Sequence, residues 1–119
     1  MSSKRILVVD DEYEICRVLS EYLEEQGYDV KMGRDGEQAI TLADEFEPDL
    51  IFLDMKMPEI TGLEALEFIR EKHPRMKVVM ITGVDDSKLA RKALLLGAND
   101  FIAKPFSFSY LKRVLNSLC

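Results

Sequence analysis

DLIFLDMKMPE, residues 49–59, carries four apolar residues, Leu50 to Leu53, straight into Asp54 and then into Met55-Lys56-Met57-Pro58. An unbroken apolar run reads as a strand buried on both faces, the pattern of a parallel sheet covered by helices on either side. A carboxylate at the end of such a strand is costly unless charge or hydrogen bonds meet it there. The fold and the function both turn on what meets Asp54.

Working outward, four more apolar runs occur at similar spacing, at residues 6–9, 28–32, 78–81 and 101–103. The segments between them have helical periodicity. Ile15, Val18, Leu19, Tyr22 and Leu23 fall at i, i+3, i+4, i+7 and i+8, and Gly27 stands where a glycine ends a helix. Ala39, Ile40, Ala43 and Phe46 form a second set, which ends before Pro48. Leu63, Leu66, Ile69 and Arg70 form a third, with Pro74 beyond. A fourth helix is predicted from about Asp86 to Leu96, stopping at Gly97, and a fifth carries Leu111, Val114, Leu115 and Leu118.

Strict strand–helix alternation with short connections implies a parallel sheet with helices on both faces. Five strands favour a flavodoxin-like doubly wound α/β fold, order 2-1-3-4-5, with five helices. In such sheets ligands bind at the carboxyl ends of the strands, near the switch point between strands 1 and 3.

The 119 residues suit one domain. A net charge of −6, from 22 acids and 16 bases, disfavours direct nucleic-acid binding. The start, MSSKRILVVDD, has too few apolar residues for a signal peptide or a membrane span. Cys16 on a helix face and Cys119 at the end have no metal-ligand spacing, so a reduced, cytoplasmic protein is expected.

Strand 1 ends in Asp10-Asp11-Glu12, strand 3 in Asp54, strand 4 in Thr82-Gly83 and strand 5 in Lys104-Pro105. Each has an ordinary reading: helix capping for Asp10 and Asp11, a turn residue for Asp54, a β-branched strand residue for Thr82, a solvated lysine for Lys104. His73, beside Pro74, reads as a surface residue. Convergence on one rim argues for a site. Two carboxylates about 4 Å apart repel by on the order of 4 kcal/mol at an effective dielectric of 20, so a cluster needs protons or a cation. Oxygen-only donors suit a hard divalent ion, Mg2+ before Ca2+ or Zn2+. DDE after strand 1 repels phosphate, and neither GxGxxG nor GxxxxGK[ST] is present, which argues against a nucleotide or flavin site. What remains is phosphoryl chemistry: acids for a metal, a carboxylate nucleophile, a lysine and a hydroxyl for phosphate oxygens.

DD after strand 1, D-x-x-M-P after strand 3, T-G after strand 4 and K-P-F after strand 5 together resemble the receiver domain of bacterial two-component response regulators. Gly62 at a helix start, Gly97-Ala98 and Phe101 agree with it. The resemblance runs over the whole chain, a single receiver domain at 1–119 with no output domain. It implies that Asp54 accepts a phosphoryl group from a phosphohistidine on a histidine kinase or histidine phosphotransfer protein. It implies that Asp11 and Asp54 ligate Mg2+ with the backbone carbonyl of Lys56, and that Asp10 acts through water. Lys104 and Thr82 would receive phosphoryl oxygens, Phe101 would take the aromatic switch position, and Lys104-Pro105 would be cis. The readout surface would be helix 4, strand 5 and helix 5, facing a downstream protein or a missing output domain.

The aromatic position holds Phe101 where Tyr is frequent in the family, so an inward state would rest on packing. Apolar Val84, two residues beyond Thr82, suggests slow loss of the phosphoryl group. A Mg2+-dependent phosphatase of the aspartyl-phosphate type would offer a second Asp two residues after the nucleophile; here that position is Lys56. A pseudo-receiver that is never phosphorylated is disfavoured by the intact acid set. With Leu89, Ala93 and Leu96 against the sheet, a helix rotation of about 100° per residue turns Leu94 and Leu95 away from it. They are either incidental or part of a dimer or partner contact. Residues 106–119 hold Lys112 and Arg113 but no acid, which counts against charge-paired dimerisation there.

Overall fold

The computed structural model describes residues 4–83 and 87–119, so Val84 lies outside the described residues. Five strands alternate with five helices: β1 (Arg5–Val9), α1 (Tyr13–Glu25), β2 (Asp29–Gly33), α2 (Gly36–Glu45), β3 (Leu50–Asp54), α3 (Gly62–Lys72), β4 (Lys77–Thr82), α4 (Ser87–Leu95), β5 (Asp100–Ala103) and α5 (Phe108–Leu118). The strands form one sheet in the order β2-β1-β3-β4-β5, every pair parallel.

Alternate residues of a strand point to opposite faces, and each face here has its own core. On one, Leu7, Val9, Ile51, Leu53, Val78 and Met80 meet Ala39 and Ala43 of α2, Leu66 and Ile69 of α3 and Ala93 of α4. On the other, Ile6, Val8, Phe52, Val79, Ile81 and Ile102 meet Leu19 and Leu23 of α1 and Leu111, Val114 and Leu115 of α5. Double coverage explains why β1, β3 and β4 read as apolar runs. Burying each such side chain is worth roughly 1.5–3 kcal/mol, so the three central strands are a stiff base for whatever stands at their ends.

Local chemistry fixes where the helices begin and stop. Gly27 and Gly97, with φ of 95° and 106°, follow α1 and α4 in the left-handed conformation that glycine adopts cheaply. Asp35 and Ser107 cap α2 and α5 by accepting the N–H of Gln38 and of Tyr110. Thr61 and Glu64 form a reciprocal capping box at the start of α3. Gly62 is required by packing: a Cβ there would fall 1.9 Å from the carbonyl oxygen of Asp54. The start of α3 is thereby seated directly on the backbone of Asp54.

Three readings are corrected. β2 begins at Asp29 rather than Tyr28, and Met32 is exposed, because β2 is an edge strand with one open side. Val18 is exposed rather than core, since the buried face of α1 is narrower than its run of apolar residues. His73 is half-buried, with Nε2 2.7 Å from Asp44 Oδ1, and Lys72 Nζ lies 2.7 Å from the other oxygen of that carboxylate. Leu89 and Leu96 pack against the core while Leu95 stands 83% exposed, as the helix rotation requires.

Candidate functional site

Strand register brings the chemistry together. Val9 pairs with Leu53, so Asp10 and Asp54 leave adjacent strands at the same level. Asp54 pairs with Ile81 and Thr82 with Ala103, which sets Lys104 one step beyond Thr82 at the same rim. Backbone bonds continue past the strands: Asp10 N–H donates to Gly33 C=O, Met55 N–H to Ile81 C=O, and Lys104 N–H to Thr82 C=O. The Lys104–Pro105 peptide is cis.

Asp10, Asp54 and Thr82 are buried, whereas Asp11, Glu12 and Lys56 are exposed. Lys104 crosses the rim. Its Nζ lies 2.8 Å from Glu12 Oε1, 3.1 Å from Asp10 Oδ2 and 3.7 Å from Asp54 Oδ1, with a fifth of its side chain exposed. Asp11, Glu12, Asp54, Lys56, Gly83 and Lys104 line a cleft of about 300 Å³. Larger clefts exist, one of about 600 Å³ between β2 and α2, but that one lies away from the rim on which the strand-end carboxylates meet.

The helix-capping reading of Asp10 fails. The N-cap of α1 is Glu12, which makes no side-chain cap bond, while Asp10 Oδ1 accepts the Glu12 N–H at 2.9 Å. The other oxygen of Asp10 is fully buried, and no partner among the described residues is aligned to hydrogen-bond it, although the Lys104 ammonium is within ion-pair distance.

Electrostatics follow from this crowding. Burial, the neighbouring charge of Asp10, and hydrogen bonding with Asp10 and Asp11 push the Asp54 carboxyl up to about 8, against the pull of Lys104. Burial works against the charge of Lys104, but its contacts with Glu12 and Asp10 outweigh it and hold the ammonium well above the usual lysine range. The rim is thus short of positive charge. Oxygen ligands of Asp10, Asp11 and Glu12 lie within 4.8 Å of one another. That spacing, the oxygen-only donors and the buried Asp10 oxygen fit a hard divalent cation such as Mg2+.

Phe101 is half-buried against the α2–α3–α4 core, paired in register with Met80. Glu12, third of the acids that end strand 1, has a partner that sequence pattern does not show. Its partner, Lys104, is 92 residues away, and the only signal was a third acid in a row.

The chain belongs to the response regulator receiver domain family, which matches it over residues 6–116. As a receiver domain it is a phosphoacceptor of two-component signalling. Among proteins similar to it, the alkaline phosphatase synthesis transcriptional regulatory protein PhoP of Bacillus subtilis is 41% identical over 105 residues, 88% of this chain and 44% of PhoP. The chain therefore spans less than half the length of that relative. The receiver domain of NtrX from Brucella abortus superposes with a TM-score of 0.91 at 35% identity, covering 95% of this chain and 96% of that one. Chemotaxis protein CheY4 of Vibrio cholerae gives 0.91 at 27% identity, covering 99% of this chain and all of the other. No helix among the described residues is long and apolar enough to cross a membrane.

Proposed function

We propose that Asp54 is the phosphoryl acceptor, fed by a phosphohistidine on a histidine kinase or histidine phosphotransfer protein. The observation that carries this is the single rim on which a buried Asp54, the Asp10–Asp11 pair and Lys104 meet. An Asp54 oxygen attacks phosphorus, the P–N bond breaks as the P–O bond forms, and the imidazole leaves. Asp54 must be ionised to attack, and Lys104 favours that state. Phosphoryl transfer demands positioning and charge neutralisation more than covalent help. β3 and the α3 start seated on its backbone hold Asp54 still, while Lys104 and the Thr82 hydroxyl receive phosphoryl oxygens.

Mg2+, held by Asp11, Asp54 and the Lys56 carbonyl, with Asp10 acting through water, would neutralise charge on the carboxylates and the phosphoryl oxygens. Thr82 and Phe101 form the switch by which the new charge, about −1.5 to −2, alters the α4–β5–α5 surface. The described chain is a single receiver domain acting in the cytoplasm as a switch rather than a conventional enzyme, apart from its own phosphorylation and dephosphorylation. Its phosphorylated surface engages a downstream protein or an output domain, with α4–β5–α5 also available for dimer contacts.

Acetyl phosphate with and without Mg2+, read by intact mass, tests the assignment. The expected result is a Mg2+-dependent phosphoryl adduct in the native chain and none in Asp54→Asn. An adduct that persists in Asp54→Asn, or that ignores Mg2+, overturns it.

A further inference from the structure

Cys16 is buried in the second turn of α1, on the side facing the acidic turn. Its Sγ lies 3.2 Å from the Asp10 carbonyl oxygen and 3.7 Å from that of Gly33. The Asp10 N–H donates to the same Gly33 carbonyl. The thiol therefore sits where the end of β1, the end of β2 and the start of α1 meet. A thiol has one proton to give and is a weak donor; the shorter contact directs it to Asp10.

We infer that Cys16 is a positioning residue for the metal-binding turn, an inference that rests on Asp10 and Asp11 serving the cation. Its thiol proton, donated to the Asp10 carbonyl, fixes the peptide that joins Asp10 to Asp11 and from whose two sides the carboxylates project. Rotation of that peptide would change the separation of the oxygens offered to Mg2+. Groups behind metal ligands that fix their orientation typically change affinity when removed. Neither side chain is otherwise held by a helix cap, because Glu12 occupies that position without a side-chain bond. The Glu12 N–H, which donates to Asp10 Oδ1, reports directly on the orientation of Asp10.

The test separates positioning from plain core filling. Cys16→Val fills the space without a donor, Cys16→Ala removes both, and Cys16→Ser keeps a donor on a smaller side chain. Two readouts are taken on each: amide exchange of Glu12 in metal-free protein relative to the amides of β3, and the Mg2+ dissociation constant from chemical-shift titration. The expected result is that Val and Ala speed Glu12 exchange beyond any change in β3 and weaken Mg2+ binding by about tenfold, the low end for loss of a group that orients a metal ligand, with Ser nearer the native values. If Glu12 exchange moves only in step with β3, or if Val and Ser behave alike, Cys16 is core filling and the inference falls. A native chain that binds no Mg2+ defeats the metal reading, while metal-free Glu12 exchange still decides whether Cys16 fixes the turn. Should Val fail to fold, Ala against Ser makes the same comparison.

Discussion

Replacing Asp54 by Asn should stabilise the metal-free protein at alkaline pH and leave it unchanged in acid. In the folded chain the Asp54 carboxyl is pushed up to about 8, first by burial and then by the charge of Asp10, whereas an unfolded aspartate titrates near 3.9. Between those values the folded state holds about one more proton than the unfolded state. Stability therefore falls as pH rises through this window, by at most about 1.4 kcal/mol per pH unit. The proton-linked advantage is complete below about pH 4 and gone above about pH 8. Four such units set an upper bound of about 5 kcal/mol, and local relaxation reduces it to on the order of 2–4 kcal/mol at pH 8. Asn matches the shape of the carboxyl, cannot ionise, and can donate to the crowded oxygens of Asp10. Urea unfolding in excess chelator, run from pH 4.5 to 8.5, reads the difference directly. Asn should win by the stated amount at pH 8, with the gap closing toward pH 4.5. Saturating Mg2+ should narrow the gap at pH 8, because a ligand at 100 times its dissociation constant adds about 2.7 kcal/mol to the state that binds it. An Asn variant no more stable than the native chain at pH 8, or one whose advantage grows on acidification, would refute the electrostatic reasoning.

Lys104→Met should cut the initial rate of phosphoryl uptake from acetyl phosphate by roughly 10²-fold, as loss of one preorganised charge donor typically does, and lower the metal-free urea midpoint at pH 8; unchanged uptake in a mass time course would count against its role. Gly62→Ala puts a Cβ 1.9 Å from the Asp54 carbonyl. It should cost about 3 kcal/mol or more by urea unfolding, at the severe end of overpacking, with shifted amide resonances at residues 54 and 55. Arg70→Met removes a guanidinium that donates to the carbonyls of His73, Met76 and Gly97. It should destabilise by about 2–3 kcal/mol and speed amide exchange at Ala98 and Asn99, where a uniform change across the chain would deny Arg70 a local role.

Arg70 also marks where the sequence stops being readable. It falls at a helical interval from Leu63 and Leu66, on their apolar face; the structure keeps it half-buried there, but as a hub for backbone carbonyls from the α3–β4 and α4–β5 connections. Such partners leave no trace in side-chain pattern. The central strands are legible because burial on both faces enforces an apolar run, which residues 6–9, 50–53 and 78–81 all satisfy. The edge strand β2 was less so, since one open side relaxes the demand and lets Lys31 and Met32 stay in water. The convergence of Asp10, Asp54, Thr82 and Lys104 followed from strand order alone, because register then sets their levels. The capping box of Thr61 and Glu64 is written in the sequence as T-x-x-E, beside the more conspicuous Gly62.

Distances within the rim argue for a division of labour that no single residue reveals. Lys104 is closest to Glu12, intermediate to Asp10 and farthest from Asp54. Its charge is thus shared with the most exposed of the three, Glu12, while the most crowded one, Asp54, receives least. A phosphoryl group on Asp54, the proposed acceptor, would add about −1.5 to −2 charges at the far end of that series. Coulomb attraction at short range then favours Lys104 turning from Glu12 toward the new oxygens, and Glu12, already in water, loses little by release. The central strands, buried on both sides, resist displacement by such an addition. The rearrangement expected from it therefore falls on the strand ends and the residues that follow them, Glu12 at the start of α1, Thr82 at the end of β4 and Lys104 between β5 and α5, together with Phe101 of the edge strand β5. A charge placed on one strand end would in this way reach α1 and α5 on one face of the sheet and α4 on the other.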